Sequence, residues 1–483
     1  MNDHRPAAVI ILAAGEGTRM KSKTPKVLHP IGGLPLLGHA MRAAKGADAR
    51  ETVVVIRHAR EQVAAYITSV TDCPAQIADQ DDIKGTARAV ECGLDALPAD
   101  LTGTVVVTMG DVPLLTAETI GQLTVRHEEA GAAVTVITSI LPDAKQYGRV
   151  VRGDDGEVER IVEFKDASEA EREIREINSG IYAFDAEALR AALPRITPHN
   201  AQGEKYLTDV IELAREDGRP VVGWPLTDLW QTEGVNDRSQ LAQLGRILNE
   251  RTCHAHMVAG VTIVDPSSTW IDVDVTIAPD ATILPNTQLI GATEIAEDAV
   301  VGPEVTLVDT EVGAGATVRR AEAHLAVIGA GASVGPYSYL RPGTELGARG
   351  KIGGFVETKN AVIRAGAKVP HLTYCGDAVI GEGANIGAGT IFANYDGVAK
   401  AKTTVGKHSF VGSNSVLVAP VAIADGAYVG AGTALTEDVG PGQIAVARAK
   451  QRNVSGWVAR RRAGTATAQA AADAEAELPP PSA

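Results

Sequence analysis

Aromatic residues and cysteines are scarce in this chain of 483 residues. Phe, Trp and Tyr make up only 4% of it, so small aliphatic side chains must fill its cores. The four cysteines are scattered and form no CxxC pair, which argues against a disulfide framework or a zinc site and fits a reducing compartment. No stretch approaches the roughly 18 apolar residues of a membrane span, and the N-terminus is not typical of a signal peptide. We expect a soluble, cytoplasmic, multidomain protein.

Positive charge is also in short supply. The chain has 45 Lys and Arg residues against 60 Asp and Glu residues, a formal net charge of −15. Because nucleic-acid binding depends on neutralising phosphates, we expect no nucleic-acid partner. An anionic small molecule must therefore meet a local cluster of cations.

The sequence changes character near residue 260. Before it, short aliphatic runs such as residues 9–12, 52–56, 105–108 and 134–138 alternate with helical patterns. Such alternation predicts an α/β, Rossmann-like domain with a mostly parallel sheet. An Asp followed by spaced leucines over residues 237–257 predicts a connecting helix.

Aliphatic residues then recur every six positions, without a slip over residues 271–307 and again over 405–435. No helix has this period, whereas the three flat faces of a parallel β-helix coil do. Chance patterning in an Ala/Val-rich chain is the alternative, and two unbroken runs argue against it. The sequence therefore predicts an α/β domain over residues 1–236, a linker helix over 237–258, a β-helix over 259–458 and a disordered tail over 459–483.

Two strand ends carry chemistry in the first domain. The strand at residues 9–12 runs into the segment AAGEGTRM, where small residues let backbone N–H groups approach phosphates and where Arg19, with Lys26 beyond, can neutralise them. Neither a P-loop nor a dinucleotide fingerprint is present, and a plain tight turn is the alternative. The strand at 105–109 delivers Asp111 to the edge at which open α/β sheets bind ligands, although such an Asp can also cap a helix.

The segment LAAGEGTRMKSKTPKVLHPIGG resembles the signature of the sugar-nucleotide pyrophosphorylases. Together with the hexapeptide repeats, the chain resembles over roughly residues 7–458 the bacterial family that joins N-acetylglucosamine-1-phosphate uridyltransferase to glucosamine-1-phosphate N-acetyltransferase. Its tail suggests an actinobacterial member. The resemblance implies acetyl-CoA-dependent acetylation of glucosamine-1-phosphate, then Mg²⁺-dependent uridylyl transfer from UTP that makes UDP-N-acetylglucosamine, a cell-envelope precursor. It also implies a left-handed, homotrimeric β-helix with acetyltransferase sites between subunits.

For the uridyltransferase, the resemblance implies that Lys26 and Arg19 offset the charge of the departing pyrophosphate. It implies that Asp111 and Asn236 hold Mg²⁺, which proteins usually bind through one or two oxygen ligands plus phosphates and waters. The remaining positions assigned to UTP or UDP-N-acetylglucosamine are Leu12, Ala13, Ala14, Gly15, Gln80, Gly85, Thr86, Met109, Gly148, Glu163 and Asn178. The sequence KGTARA at residues 84–89 departs from the GTGHA more usual beside the uracil.

A second constellation lies in the irregular middle of the repeats. A lone His in a β-helix is usually a solvated turn residue, but His371 interrupts the aliphatic pattern beside Tyr374, and nearby cations could bind a phosphate. The resemblance implies that His371 is the general base for the glucosamine amine, a role that suits an imidazole near neutral pH. It places the sugar phosphate at Arg341, Lys359, Tyr374 and Asn385. It places acetyl-CoA at Ala388, Asn394, Tyr395, Ser413, Ala431 and Arg448.

Two other functions compete with the bifunctional one. A nucleotidylyltransferase with a purely structural or regulatory β-helix would have no need of the set around His371. A non-enzymatic scaffold would explain the repeats and leave the phosphate-binding segment idle. Lys450, where the family commonly has Pro, and the basic stretch at 448–462 leave the role of Arg448 open between CoA binding and a solvated surface.

Overall fold

A computed structural model describes residues 4–477 of the chain, which form two compact units that divide after Leu325. Each unit is described in turn. Within the described range, no helix combines the length and the apolarity needed to cross a membrane.

The first unit contains a nine-stranded sheet. Its central strand, Ala8–Leu12, pairs in parallel with Glu51–Ile56 and Thr104–Met109. Side chains of the central strand alternate between two hydrophobic clusters, one on each face of the sheet, which is why the run is apolar without interruption. The other strands are Gln76–Asp79, Val134–Ile140, Arg149–Arg152, Val158–Val162, Glu176–Asp185 and Val221–Pro225.

The sheet is mixed rather than mostly parallel. The long strand Glu176–Asp185 runs antiparallel to both Thr104–Met109 and Val134–Ile140. It follows the antiparallel hairpin of Arg149–Arg152 and Val158–Val162, and antiparallel strands need no crossover helix between them.

Helices cover both faces of this sheet. They are Leu36–Gly46, Arg60–Ser69, Thr86–Asp95, Ala117–Glu129, Glu169–Arg172, Ala186–Ala192 and Asp209–Glu216, with 3₁₀ turns at Thr18–Met20, Lys26–Leu28, Leu193–Arg195 and Leu229–Thr232. A helix spans Arg238–Val258, where the connecting helix is predicted, and the Asp237 side chain caps it by accepting the Gln240 N–H. A short hairpin, Pro30–Ile31 with Leu34–Pro35, packs beside that helix through Ile31.

The first unit ends in coils of short parallel strands. Each strand pairs with the strand about three hexapeptides later, as in Ile271 with Leu289 and Ile283 with Val301. The repeated aliphatic residues point inward and are buried, so the predicted period is confirmed. These strands are Thr262–Ile263, Trp270–Ile271, Thr276–Ile277, Thr282–Ile283, Thr287–Ile290, Glu294–Ile295, Val300–Val301, Val305–Val308, Glu311–Val312, Thr317–Val318 and Ala321–His324.

The second unit consists of further parallel coils. In its middle the repeat shortens by one residue, because Ile352 pairs with Val369 and Thr358 with Cys375, and this explains the broken phase of the pattern. The strands are Ala326–Ile328, Ser333–Val334, Ser338–Leu340, Thr344–Leu346, Lys351–Gly354, Glu357–Ile363, Lys368–His371, Tyr374–Ile380, Asn385–Ile386, Ile391–Ala393, Thr403–Val405, Phe410–Val411, Val416–Val418, Val421–Ile423, Tyr428–Val429, Ala434–Leu435 and Ile444–Ala445.

The tail differs from its prediction. Instead of disorder throughout, its described part contains the helix Ala466–Ala476, preceded by Trp457–Arg461. Neither helix buries a residue, so local preference accounts for them: alanine is the best helix former, and Thr465 caps the longer helix. Residues 478–483 of the predicted tail lie outside the described range.

Candidate active sites

A cavity of about 530 Å³ opens at the carboxyl ends of the central strands of the first unit. Parallel strands bring their following loops together at this edge, which is where α/β sheets bind ligands. Ten residues assigned from the sequence line it: Leu12, Ala13, Ala14, Gly15, Lys26, Gln80, Gly85, Thr86, Met109 and Asp111.

The glycine-rich segment is shaped by Gly17. Apart from glycine, only Asn and Asp adopt its φ of 63° with any frequency. A Cβ at this position would also lie 2.5 Å from the Cβ of Lys26. Met20 and Val27 are buried and anchor the two 3₁₀ turns that follow Gly17. Glycine at position 17 therefore allows Lys26 to approach the glycine-rich loop closely.

Two cations and two candidate metal ligands form pairs beside this loop. Lys26 Nζ contacts Asp111 Oδ2, and Arg19 Nη2 donates to Asn236 Oδ1 at 2.8 Å. The Val235 N–H donates to the Asp111 carbonyl at 2.9 Å, which ties the segment bearing Asn236 to Asp111. No cluster of three His, Cys, Asp or Glu ligands occurs in residues 4–477. A metal here would rely on these two oxygen donors and on substrate phosphates.

The far end of the cavity is built around Gln80. Its Nε2 group donates to the carbonyls of Ile83 and Gly85, at 3.0 and 3.2 Å. Both amide hydrogens are thus engaged, and Oε1 remains as an acceptor. Gly85, with a φ of 120°, passes so close to Lys205 that a Cβ would lie 2.2 Å from the Lys205 carbonyl oxygen.

The departure KGTARA has a structural explanation. Arg88, in the fifth position of that segment, forms ion pairs with Asp81 and Glu91, each at 2.7 Å. Its guanidinium is therefore held by the turn that precedes its helix and by the helix itself. Lys84, in contrast, lines the cavity and adds a cation near its edge.

Gly148, Glu163 and Asn178 form a group of their own. The Asn178 N–H donates to the Gly148 carbonyl at 2.9 Å, and a Cβ on Gly148 would lie 3.3 Å from Glu163 Oε1. The Tyr182 hydroxyl orients Asn178 by donating to its Oδ1 at 2.9 Å. Burial, reinforced by Asp166, raises the pKa of Glu163.

Sequence reasoning missed several residues of this site. Arg57 and Glu204 line the cavity, and Arg57 directly follows the strand Glu51–Ile56, a strand-end signal that was available. Tyr147 donates to Glu233 at 3.0 Å, and burial raises the pKa of this phenol. Nothing in the sequence pairs Tyr147 with Glu233.

Cations converge on one face of the second unit. Arg341 forms an ion pair with Glu357 at 2.8 Å, and Glu357 pairs in register with Tyr374. Lys359 lies beside Lys400, whose hydrogen bond and charge lower the pKa of Lys359. Sequence reasoning missed Lys400, although it lies in the insertion that separates two clean repeats.

That insertion forms a hairpin over residues 394–401. The Ala401 N–H donates to the Asn394 carbonyl at 2.9 Å, and Tyr395 bridges Lys400 in antiparallel fashion. Asn394 is 6% exposed and Tyr395 is 58% exposed, so the first anchors the hairpin while the second projects from it.

The other residues that the sequence analysis assigns to acetyl transfer lie on or after a different stack of strands. His371 ends the strand Lys368–His371, which pairs with Lys351–Gly354, whereas Tyr374 begins a strand of the face that carries Lys359. The His371 side chain is exposed. Arg448 contacts the Ala431 carbonyl with its guanidinium. The other members on or after this stack are Asn385, Ala388, Ser413 and Ala431.

Comparisons with known proteins identify the family that this chain resembles. Residues 9–148 match the family described as MobA-like NTP transferase domain. The chain is 56% identical to the bifunctional protein GlmU of Kineococcus radiotolerans, covering 98% of this chain and 96% of the relative. It is 56% identical to the bifunctional protein GlmU of Micrococcus luteus, with 98% of each chain covered, and 55% identical to that of Rhodococcus jostii, with 97% and 95% covered.

Proposed function

The chain belongs to the family of bifunctional GlmU proteins, and from this premise we propose which of its residues carry out each activity. It is an enzyme of UDP-N-acetylglucosamine synthesis, with glucosamine-1-phosphate acetyltransferase and uridyltransferase activities. This bifunctional assignment is favoured over a single-activity nucleotidylyltransferase. We assign uridylyl transfer to residues 1–236, a linker helix to 237–258 and acetyl transfer to 259–458.

In uridylyl transfer, an oxygen of N-acetylglucosamine-1-phosphate attacks the α-phosphorus of UTP, and the bond to pyrophosphate breaks. The pairing of Lys26 with Asp111 and of Arg19 with Asn236 carries the proposal that these four residues surround the reacting phosphates. Lys26 and Arg19 stabilise the charge that develops on the departing pyrophosphate, so positioning and electrostatics do the catalysis.

The nucleotidyltransferase family implies the use of a divalent metal ion, which we propose to be Mg²⁺. The carboxylate of Asp111 and the amide oxygen of Asn236 are the hard oxygen donors that Mg²⁺ prefers. The ion supplies Lewis-acid neutralisation of phosphate charge when bound.

At the base, Gln80 Oε1 accepts the N3–H of uracil. This assignment is supported by the two backbone carbonyls that hold both amide hydrogens of Gln80. Cytosine presents an acceptor at N3, so two acceptors would face each other. Gly148, Glu163 and Asn178 are proposed to contact the sugar.

In acetyl transfer, the glucosamine amine attacks the thioester carbonyl of acetyl-CoA, the C–S bond breaks and the CoA sulfur leaves. His371 takes the proton from the amine. Arg341, Lys359 and Lys400 hold the sugar phosphate, a proposal carried by the convergence of three cations from distant segments of an acidic chain. Tyr374 and Asn385 complete the sugar site, and the CoA positions are those given above, with a backbone N–H near Ala388 as oxyanion donor.

We propose that the chain acts as a homotrimer in the cytoplasm, where UTP and acetyl-CoA are available. Two exposed aromatic pairs support self-association: Tyr337 lies 5.3 Å from Phe355, and Phe410 lies 5.6 Å from Tyr428, between ring centroids. Exposed apolar patches of this kind mark protein interfaces. Light scattering of the purified protein tests the trimer, and a monomer would contradict it.

Product mass spectrometry tests the two activities. One sample receives glucosamine-1-phosphate, acetyl-CoA, UTP and Mg²⁺, and a second receives N-acetylglucosamine-1-phosphate, UTP and Mg²⁺. We expect UDP-N-acetylglucosamine in both. Product in the second sample alone would contradict acetyl transfer, and replacement of Mg²⁺ by a chelator should abolish product in both.

A further inference from the structure

Asn360, Asp377 and Asn394 form a row of three side chains across successive coils of the second unit, with Asp377 in the middle. Asn360, one coil earlier, donates from Nδ2 to Asp377 Oδ1 at 3.0 Å. Asn394, one coil later, donates from Nδ2 to Asp377 Oδ2 at 2.5 Å. Both oxygens of a single carboxylate are therefore held by amides from neighbouring coils, and hydrogen bonds to an ionised acceptor are among the strong ones.

The backbone along this row suits Asp and Asn. Asn360 and Asp377 have φ values of 44° and 49°, in the left-handed region that Asn and Asp tolerate better than most residues. Asn360 and Asp377 thus tolerate the left-handed backbone and at the same time supply the side chains that form hydrogen bonds along the row.

The row ends at the base of the inserted hairpin. Within the hairpin, Asp396 Oδ1 accepts the N–H groups of Val398 and Ala399, at 2.8 and 2.7 Å. The hairpin is therefore closed by its own hydrogen bonds. Its orientation on the coil depends on the buried Asn394 side chain, which Asp377 holds.

Asp377 also faces the two lysines of the cation cluster. Burial alone would raise the pKa of Asp377, but the hydrogen bonds from Asn360 and Asn394, and then the charges of Lys359 and Lys400, outweigh burial and lower it. A negative charge near both ammonium groups offsets their mutual repulsion and favours their staying together.

We infer that Asp377 is a positioning residue of the acetyltransferase site, which holds the hairpin 394–401 so that Lys400 remains beside Lys359. The inference rests on the proposed phosphate site and adds a residue that does not itself touch substrate. One hairpin carries Lys400 toward the sugar phosphate and Asn394 with Tyr395 toward acetyl-CoA. Asp377 therefore influences the binding of both substrates.

The test uses Asp377→Gly, which removes the carboxylate while glycine keeps the left-handed backbone without strain. We expect KM to rise about tenfold for glucosamine-1-phosphate and for acetyl-CoA, with kcat for acetylation within about twofold of the unmodified protein. Asp377→Asn should restore both KM values to within about threefold, because its amide can pair with both neighbours once they reorient.

Asp309→Gly is the matched control. Asp309 has a φ of 47° and accepts the Ala292 N–H at 2.9 Å, so it also has a left-handed backbone and bonds a neighbouring coil, but in the first unit. We expect this variant to lose some thermal stability and to keep both KM values. Uridylyl transfer at the normal rate verifies folding of the first unit in every preparation, and an unchanged kcat for acetylation verifies folding of the second unit in the Asp377 variants.

Three outcomes separate this inference from the proposed site. If Lys400→Ala raises KM for glucosamine-1-phosphate while Asp377→Gly leaves it unchanged, the positioning role is overturned. If Asp377→Asn is as impaired as Asp377→Gly, hydrogen bonding by Asp377 is not the cause and the inference also fails. If neither Lys359→Ala nor Lys400→Ala changes KM, it is the proposed phosphate site that fails.

Discussion

Arg19 and Asn236 are 217 positions apart in sequence, yet Arg19 Nη2 lies 2.8 Å from Asn236 Oδ1. The first follows the opening strand of the sheet, and the second directly precedes the helix Arg238–Val258. Two segments from opposite ends of the sequence of the α/β domain thus meet beside the candidate nucleotide site. A similar approach joins Lys26 to Asp111, so each candidate metal ligand has a cation as its partner.

The pairing of each candidate metal ligand with a cation leads to a prediction for Asp111→Ala. The substitution removes a proposed Mg²⁺ ligand and leaves Lys26 without its counter-ion. We expect kcat of uridylyl transfer to fall by about 100-fold, while acetylation stays within about twofold. Pyrophosphate release measured across a Mg²⁺ titration checks this. Asp100→Ala, at an exposed position, is the control, and unchanged Mg²⁺-dependent turnover in Asp111→Ala would remove Asp111 from the metal site.

The repeats could be read from the sequence because each hexapeptide obeys a local rule. Ile283 and Val301 face the same core only because eighteen residues make one turn of the coil, so the period alone positions them. The segment around Gly17 could be interpreted equally well, since glycine after a strand indicates a place where the backbone can approach another group closely. Such features depend on residues that are close together in sequence, so one amino-acid sequence is enough to predict them.

The missed residues depend on contacts that no local pattern encodes. Lys400 approaches Lys359 because an inserted hairpin closes over a coil that precedes it by two turns. Likewise, Gly148, Glu163 and Asn178 contact one another on an antiparallel part of the sheet that the predicted parallel arrangement did not contain. The low-complexity composition of the tail predicts disorder, whereas its alanine content also favours a helix.

His371→Asn should separate the two activities. We expect acetylation to fall by about 10²- to 10⁴-fold, the usual contribution of a general base. Uridylyl transfer to N-acetylglucosamine-1-phosphate should be unchanged, because its proposed residues lie in the first unit. Release of the free CoA thiol, followed with a thiol reagent, measures the first activity.

His408→Asn is the matched control for that experiment. His408 is an exposed histidine of the second unit whose φ of 51° an asparagine tolerates. Loss of both activities in His371→Asn, with the fold intact, would contradict a role limited to acetylation.

Gln80 should govern the choice of base. With both amide hydrogens donated to Ile83 and Gly85, its free oxygen favours uracil over cytosine. We expect Gln80→Ala to reduce the preference for UTP over CTP, expressed as the ratio of kcat/KM values, by about tenfold. Arg57→Ala, a substitution at another residue of the cavity, should change kcat/KM for UTP and for CTP by the same factor. An unaltered ratio in Gln80→Ala would mean that other groups select the base.

Asp209 lowers the stability of the folded chain as pH rises, whereas a salt-bridged carboxylate increases it. Burial, then the charges of Glu212 and Asp166, raise its pKa to about 6 from an ordinary 3.8. Below pH 3.8 both the folded and the unfolded chain hold the proton, so Asp209 imposes no penalty. As pH rises toward 6 the unfolded chain ionises first, and the folded state is progressively destabilised.

We therefore expect Asp209→Asn to raise the free energy of unfolding of the first unit by about 1–2 kcal/mol at pH 7.5, after allowance for solvent screening. Near pH 4 the same substitution should have little effect, because the carboxyl group is then largely neutral in the folded chain. Urea denaturation at the two pH values measures the difference. Asp100→Asn, a substitution at an exposed position, should change the free energy of unfolding at neither pH. An equal gain at both pH values would show that packing or helix capping, and not the cost of a buried charge, explains the effect of Asp209→Asn.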